Sequence, residues 1–257
     1  MSDDTTNTIK ESFISHLIEL RTRLVRASVV VLLIFIMLFA IWPGAAVIYD
    51  WLAQPMMAAL PEGSKMIATG VITPFMVPMK VTMMVAFLVS LPWVLYQTWA
   101  FVAPALYLHE KRLIAPLVIS SSVLFILGVA FCYFFVFGTV FKFINDFAPK
   151  SISVAPDIEN YLDFVFTMCL AFGITFEVPV VVVVLVRMEL VTVEKLKAIR
   201  SYVIVGAFVV AAVVTPPDIM SQLFLAIPLC LLYEVGLLIA PLFVKMTKAP
   251  EIGRAHV

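Results

Sequence analysis

Residues 95–116 read L-Y-Q-T-W-A-F-V-A-P-A-L-Y-L-H-E-K-R-L-I-A-P and lie between two long apolar runs. Trp99, Phe101 and Tyr107 stand beside Pro104, and the charged cluster Glu110-Lys111-Arg112 follows. Aromatic rings favour the headgroup level of a bilayer and charges favour water, so the stretch reads as a loop where the chain leaves a membrane. An acidic group beside an aromatic shelf at that edge can hold something cationic and partly apolar. The rest of the chain then reads as a scaffold that presents this surface.

Composition agrees with a membrane setting. The chain has 257 residues, 63% hydrophobic and 13% charged, with net charge +0. Apolar runs near twenty residues recur, as in a polytopic α-helical membrane protein. The balanced charge gives no nucleic-acid footprint. Cys132, Cys169 and Cys230 all lie in apolar runs without C-x-x-C spacing, so they read as small buried hydrophobes. His16, His109 and His256 have no metal-ligand spacing. The first apolar run follows a mixed-charge segment and ends at Pro43-Gly44 without a cleavage pattern, so it reads as a span rather than a signal peptide.

Taken in order, Thr8 and Glu11 fit a capping box. Phe13, Leu17, Leu20 and Leu24 recur at helical spacing opposite Glu19, Arg23 and Arg26, which predicts an amphipathic helix on the membrane surface. It would feed a first span over about 25–42. Residues 43–74 follow Trp42 and carry Tyr49 and Trp51, three interface anchors, and are punctuated by Pro55, Pro61, Gly63, Gly70 and Pro74, predicting short helices and turns. Span two covers about 75–98, with Lys80 snorkelling near its outer end. Span three covers about 114–137, with Ser120, Ser121, Ser122 and Gly128 suited to close packing and Gly138 ending it. Span four covers about 159–186 and holds Glu177 just before Pro179. Thr192 is a good N-cap in the loop that follows. Span five covers about 201–214 and span six about 221–243, carrying Glu234. Thr215-Pro216-Pro217-Asp218 form the outer turn between them.

Thirteen of the 17 Lys and Arg residues fall on one side of this arrangement, leaving Lys65, Lys80, Lys142 and Lys150 on the other. The bias puts both termini in the cytoplasm with six spans. Span five, at about 1.5 Å per residue, reaches only about 21 Å against a hydrocarbon core of about 30 Å. Local thinning of the bilayer near spans five and six is therefore expected.

Four carboxylates stand out. Glu19, in S-H-L-I-E-L-R, could simply pair with Arg23 four residues on. Glu110 could pair with a neighbouring base. Two interfacial carboxylates on one membrane face would also suit a ligand with two guanidinium groups, which carboxylates grip bidentately. Glu177 and Glu234 sit within spans, where inserting a carboxylate costs at least about 2.5 kcal/mol. Counting back from the cytoplasmic charges puts them at similar depth, either sharing a hydrated cavity or separately hydrogen-bonded. No H-E-x-x-H, G-x-S-x-G or P-loop occurs, so neither protease nor ATPase chemistry is expected. A secondary transporter using Glu177 and Glu234 as a relay is the alternative class, although no inverted repeat is evident. A purely structural membrane anchor is a third.

Five segments, in order, resemble the TatC family, the receptor subunit of the twin-arginine protein translocase: S-H-L-I-E-L-R (15–21), P-F-M-V-P-M-K (74–80), residues 95–112 of the opening stretch, F-G-I-T-F-E-V-P (172–179) and T-P-P-D-I-M-S-Q (215–222). The resemblance spans about 12–245. It implies one membrane domain over 1–245 with a concave, glove-like bundle and short fifth and sixth spans. It implies a non-enzymatic receptor of the bacterial inner membrane that binds Arg-Arg signal peptides of folded precursors. By the same resemblance, Glu19, Leu20, Arg21, Phe101 and Glu110 form the binding site. Glu177 matches the acidic residue of the concave face, and Asp218 and Gln222 match suspected partner contacts. TatA- and TatB-type single-span subunits, further copies of the chain and lipid would be the partners, with transport drawing on the proton gradient. No cofactor or metal is implied. Gly138 stands where relatives usually carry Pro. Residues 251–257 look like a translated sequencing adapter and receive no function.

Overall fold

A computed structural model describes residues 2–59, 66–102, 114–147, 155–215 and 218–245. These residues are helical almost throughout, apart from connections and an isolated parallel bridge between Ile67 and Asp157. The elements are α1 (Ser2–Ala40), α2 (Ala45–Ala59), α3 (Thr73–Val102), α4 (Ile114–Phe131), α5 (Phe137–Phe147), α6 (Ile158–Phe176), α7 (Val178–Arg187), α8 (Val193–Ala198), α9 (Arg200–Val214) and α10 (Ile219–Lys245). A π-helical turn, Cys132–Val136, joins α4 to α5. Among the described residues, five stretches are long and apolar enough to cross a membrane: Ile14–Ala40, Thr73–Val102, Ile114–Ile144, Ile158–Arg187 and Ile219–Leu242. Arg200–Val214 is a shorter apolar helix of 15 residues.

The chain forms two compact units. One comprises Met1–Gln54, Met66–Ser122 and Asp157–Glu159; the other comprises Pro55–Lys65, Val123–Pro156 and Asn160–Val257.

In the first unit, α1 packs along α3. The less exposed positions of α1 recur at Glu19, Arg23, Ala27, Val31, Ile34 and Leu38, a stripe with helical spacing facing α3. The separate surface helix expected from the sequence is not observed. Neither Gly nor Pro occurs between Ser2 and Ala40, so the amphipathic stretch and the first span are one uninterrupted helix. The Thr8–Glu11 capping box marks no start. Beyond α2, residues 66–72 return irregularly and are fastened to the first turn of α6. Ile158 N donates to Ile67 O at 2.9 Å. Thr69 donates to Asp157 Oδ2 through both its backbone N–H, at 3.1 Å, and its hydroxyl, at 2.7 Å. Asp157 Oδ1 also accepts from Glu159 N at 2.9 Å, so one carboxylate caps α6 and holds the returning loop. Lys80 does not merely snorkel: it bonds Glu159 at 3.0 Å, and the Thr73 hydroxyl donates to the same carboxylate. Trp99 Nε1 donates to Ser121 Oγ at 3.0 Å, fixing the end of α3 to α4.

In the second unit, Gly128 is buried where a Cβ would lie 2.5 Å from Phe172 O, and at Gly173 a Cβ would meet the Phe125 ring at 2.4 Å. The backbones of α4 and α6 approach this closely because both residues lack side chains. Gly138 does not end the third span. The helix runs on through it, and α5 buries Phe137, Val140 and Phe141 on one side while Lys142 and Asp146 are exposed. Span four is broken once, at Glu177. Pro179 supplies no N–H to continue the α6 ladder, and Glu177 instead stands as N-cap of α7, its N–H bonding Ile174 O. Thr192 caps α8 as expected, its hydroxyl accepting from Lys195 N at 3.3 Å. α10 packs against α7 and α9. Val182, Val186, Leu196, Tyr233, Leu237 and Ala240 form a buried cluster there. Of the two spans expected to be short, α9 is. α10, at 27 residues, is about 40 Å long and reaches across an ordinary core.

Candidate functional site

S-H-L-I-E-L-R lies on α1 and Phe101 lies in the last turn of α3, both within the first unit. His16 and Phe101 stack with ring centroids 4.3 Å apart and planes at 23°. Two motifs distant in sequence therefore meet at the end of the α1–α3 pair that carries the N-terminal charges. Glu19, three residues after His16, is on the α3-facing stripe. It accepts from Arg23 Nε at 2.9 Å and Nη2 at 2.6 Å, both bonds converging on Oε1. The Glu19 side chain remains 35% exposed. Leu20 and Arg21 are exposed beside it. The surface thus offers a partly dehydrated carboxylate, an aromatic ring and apolar side chains. A guanidinium on an apolar peptide is the chemistry it suits. Glu110 lies outside the described residues, so the expected meeting of Glu19 with Glu110 does too.

Gln97 was not singled out in the sequence. It sits one helical turn before Phe101, is 4% exposed, and has a buried Oε1 with no partner among the described residues. Its only sequence signal is an amide inside an apolar run.

The other expected site residues lie in the second unit. Glu177 buries both carboxylate oxygens at the α6–α7 break. Gly236 of α10 lies against Pro179 and Val182, where a Cβ would come within 3.0–3.2 Å, which sets Glu177 and Glu234 at comparable levels. Glu234 has a partner the sequence did not suggest: Arg200, at the start of α9, bonds its Oε2 at 2.6 Å. Asp218 caps α10, accepting from Ser221 N at 2.7 Å. Gln222 Nε2 donates to Phe208 O of α9 at 3.3 Å. Cys132 and Cys169 are buried, free thiols. Among the described residues, no group of acidic, His and Cys side chains is placed to hold a metal ion.

The profile of the family described as "Sec-independent protein translocase protein (TatC)" matches residues 15–228. The chain belongs to the TatC family. The TatC protein of Haemophilus influenzae is 48% identical over 230 residues, covering 90% of this chain and 89% of that protein. The TatC protein of Escherichia coli K12 is 47% identical over 234 residues, covering 91% and 90%. The fold is similar to a solved structure described as the twin arginine translocase receptor TatC, with TM-score 0.76 and 36% identity, covering 88% of this chain and 98% of that one. TatC proteins are translocase components rather than enzymes, and this one is a multi-pass protein of the bacterial inner membrane.

Proposed function

We propose that this TatC chain is the receptor for Arg-Arg signal peptides of folded precursors. Glu19 and Glu110 would grip the paired guanidinium groups, and Leu20, Arg21 and Phe101 would line the neighbouring surface. What supports the reading most is the His16–Phe101 stack, which brings the two motifs to one place beside Glu19. The name of the solved relative, a twin arginine translocase receptor, points the same way. TatA- and TatB-type single-span subunits and further copies of the chain would complete the complex, with Asp218 and Gln222 near a partner contact. Export would draw on the proton gradient, as the resemblance to the TatC family implies.

The relay reading gains nothing specific: Glu234 is already neutralised by Arg200. Photo-crosslinking from position 101 to a twin-arginine precursor tests the proposal. A strong crosslink that weakens in Glu19→Gln and with Lys-Lys precursors is expected. Crosslinking that ignores both changes would remove the proposal.

A further inference from the structure

Glu19 is not waiting empty. The Arg23 guanidinium already holds it, with two donors on a single carboxylate oxygen and side chains 22% and 35% exposed. A carboxylate binds an incoming arginine best when both oxygens meet the two prongs of one guanidinium. Arg23 obstructs that geometry, since it occupies Oε1 and adds a like charge beside the newcomer. The contact is also easily given up: an i,i+4 pair at a partly exposed position is among the weaker ion pairs.

Resting on the receptor reading above, we infer that Arg23 is an internal occupant of the Glu19 site, displaced when a signal-peptide arginine binds. Binding is then an exchange of one guanidinium for another. The number of ion pairs at Glu19 is conserved, and affinity is set by the difference between the two. Arg23 keeps the carboxylate neutralised and oriented while the site is empty. It also lowers the affinity for the peptide by the strength of the pair that must be broken. The stripe on α1 supports this, because Glu19 and Arg23 lie together on the side of α1 that packs along α3, flanked by exposed positions.

The test uses the full chain in lipid nanodiscs, titrated with a fluorescent synthetic peptide carrying Arg-Arg before an apolar segment. Arg23→Gln should bind it about two- to fivefold more tightly, the range a weak ion pair allows. Arg26→Gln, an exposed residue on the same helix, makes the same change in net charge and should give a smaller gain. In a Glu19→Gln background Arg23→Gln should add nothing, a coupling that a general charge effect cannot produce. Arg23→Lys, which keeps charge but loses the fork, should bind more tightly than the parent and serves if the Gln variant misfolds. If Arg23→Gln weakens binding or leaves it unchanged while Glu19→Gln weakens it, the exchange is wrong and the receptor site stands. An equal gain in Arg26→Gln also overturns it. If Glu19→Gln binds like the parent, the receptor reading itself fails.

Discussion

Gly128 of α4 lies so close to Phe172 of α6 that an added Cβ would stand 2.5 Å from the Phe172 carbonyl oxygen. The contact is with backbone, which cannot rotate aside. Gly128→Ala should therefore destabilise by about 1–3 kcal/mol, the usual cost of overpacking a tight interior. Ser120→Ala, at an exposed position nearby, should stay within about 0.5 kcal/mol of the parent. Thermal unfolding of the purified protein measures both. Equal midpoints would contradict the close crossing.

The polar fastening at Asp157 and Glu159 should divide unequally. Asp157 accepts three hydrogen bonds and caps α6. Asp157→Ala should cost about 1–2 kcal/mol, as caps do. The Lys80–Glu159 pair is 42% and 44% exposed, so Lys80→Gln should cost under about 1 kcal/mol. Cysteines at 69 and 157 should crosslink readily. A larger loss for Lys80→Gln than for Asp157→Ala would reverse the assignment.

Tyr233 donates its hydroxyl to Leu196 O at 2.9 Å, and both are buried. Tyr233→Phe keeps the ring but leaves that carbonyl without a donor, at a cost of about 1–2 kcal/mol. Proteolysis of the α8 segment should accelerate in proportion. An unchanged cleavage rate would mean water satisfies the carbonyl instead.

α9 spans 15 residues, or about 22 Å, against a core of about 30 Å. Spin labels at 202 and 213, near its two ends, should both report headgroup depth, with the bilayer thinned locally. Power-saturation depths that place either label well inside a core of ordinary thickness would refute this.

Much of the architecture follows from runs of apolar residues, because a chain in lipid must satisfy its own backbone and does so as helices. The long apolar helices Thr73–Val102 and Ile158–Arg187 and the shortness of α9 follow that way, and the Thr192 cap follows from its residue type. Gly138 misled because a lone glycine costs a helix only about 1 kcal/mol. Burial of Phe137, Val140 and Phe141 along one side of α5 outweighs that. The Thr8–Glu11 pattern marks no start because the helix runs through it from Ser2, although the Ser, Asp, Thr and Asn residues that precede it are weak helix formers and nothing in the sequence accounts for that extension. The partners of Lys80 and Glu234 were invisible for a different reason. Lys80 and Glu159 are 79 residues apart, and Arg200 and Glu234 are 34 apart, so no local pattern encodes them. At the candidate site, Glu19 and its neighbours follow from the motif, but the burial of Gln97 and the hold of Arg23 on a single oxygen depend on how α1 and α3 pack.

α1 has no joint. Over its 39 residues it is one continuous helix about 58 Å long, carrying both S-H-L-I-E-L-R and the stretch that enters the bilayer. A ligand docked at Glu19 would act on a lever that reaches Ala40 without a break. Cutting that lever with a Gly-Pro insertion near residue 25 would leave the grip intact while disconnecting it from everything deeper.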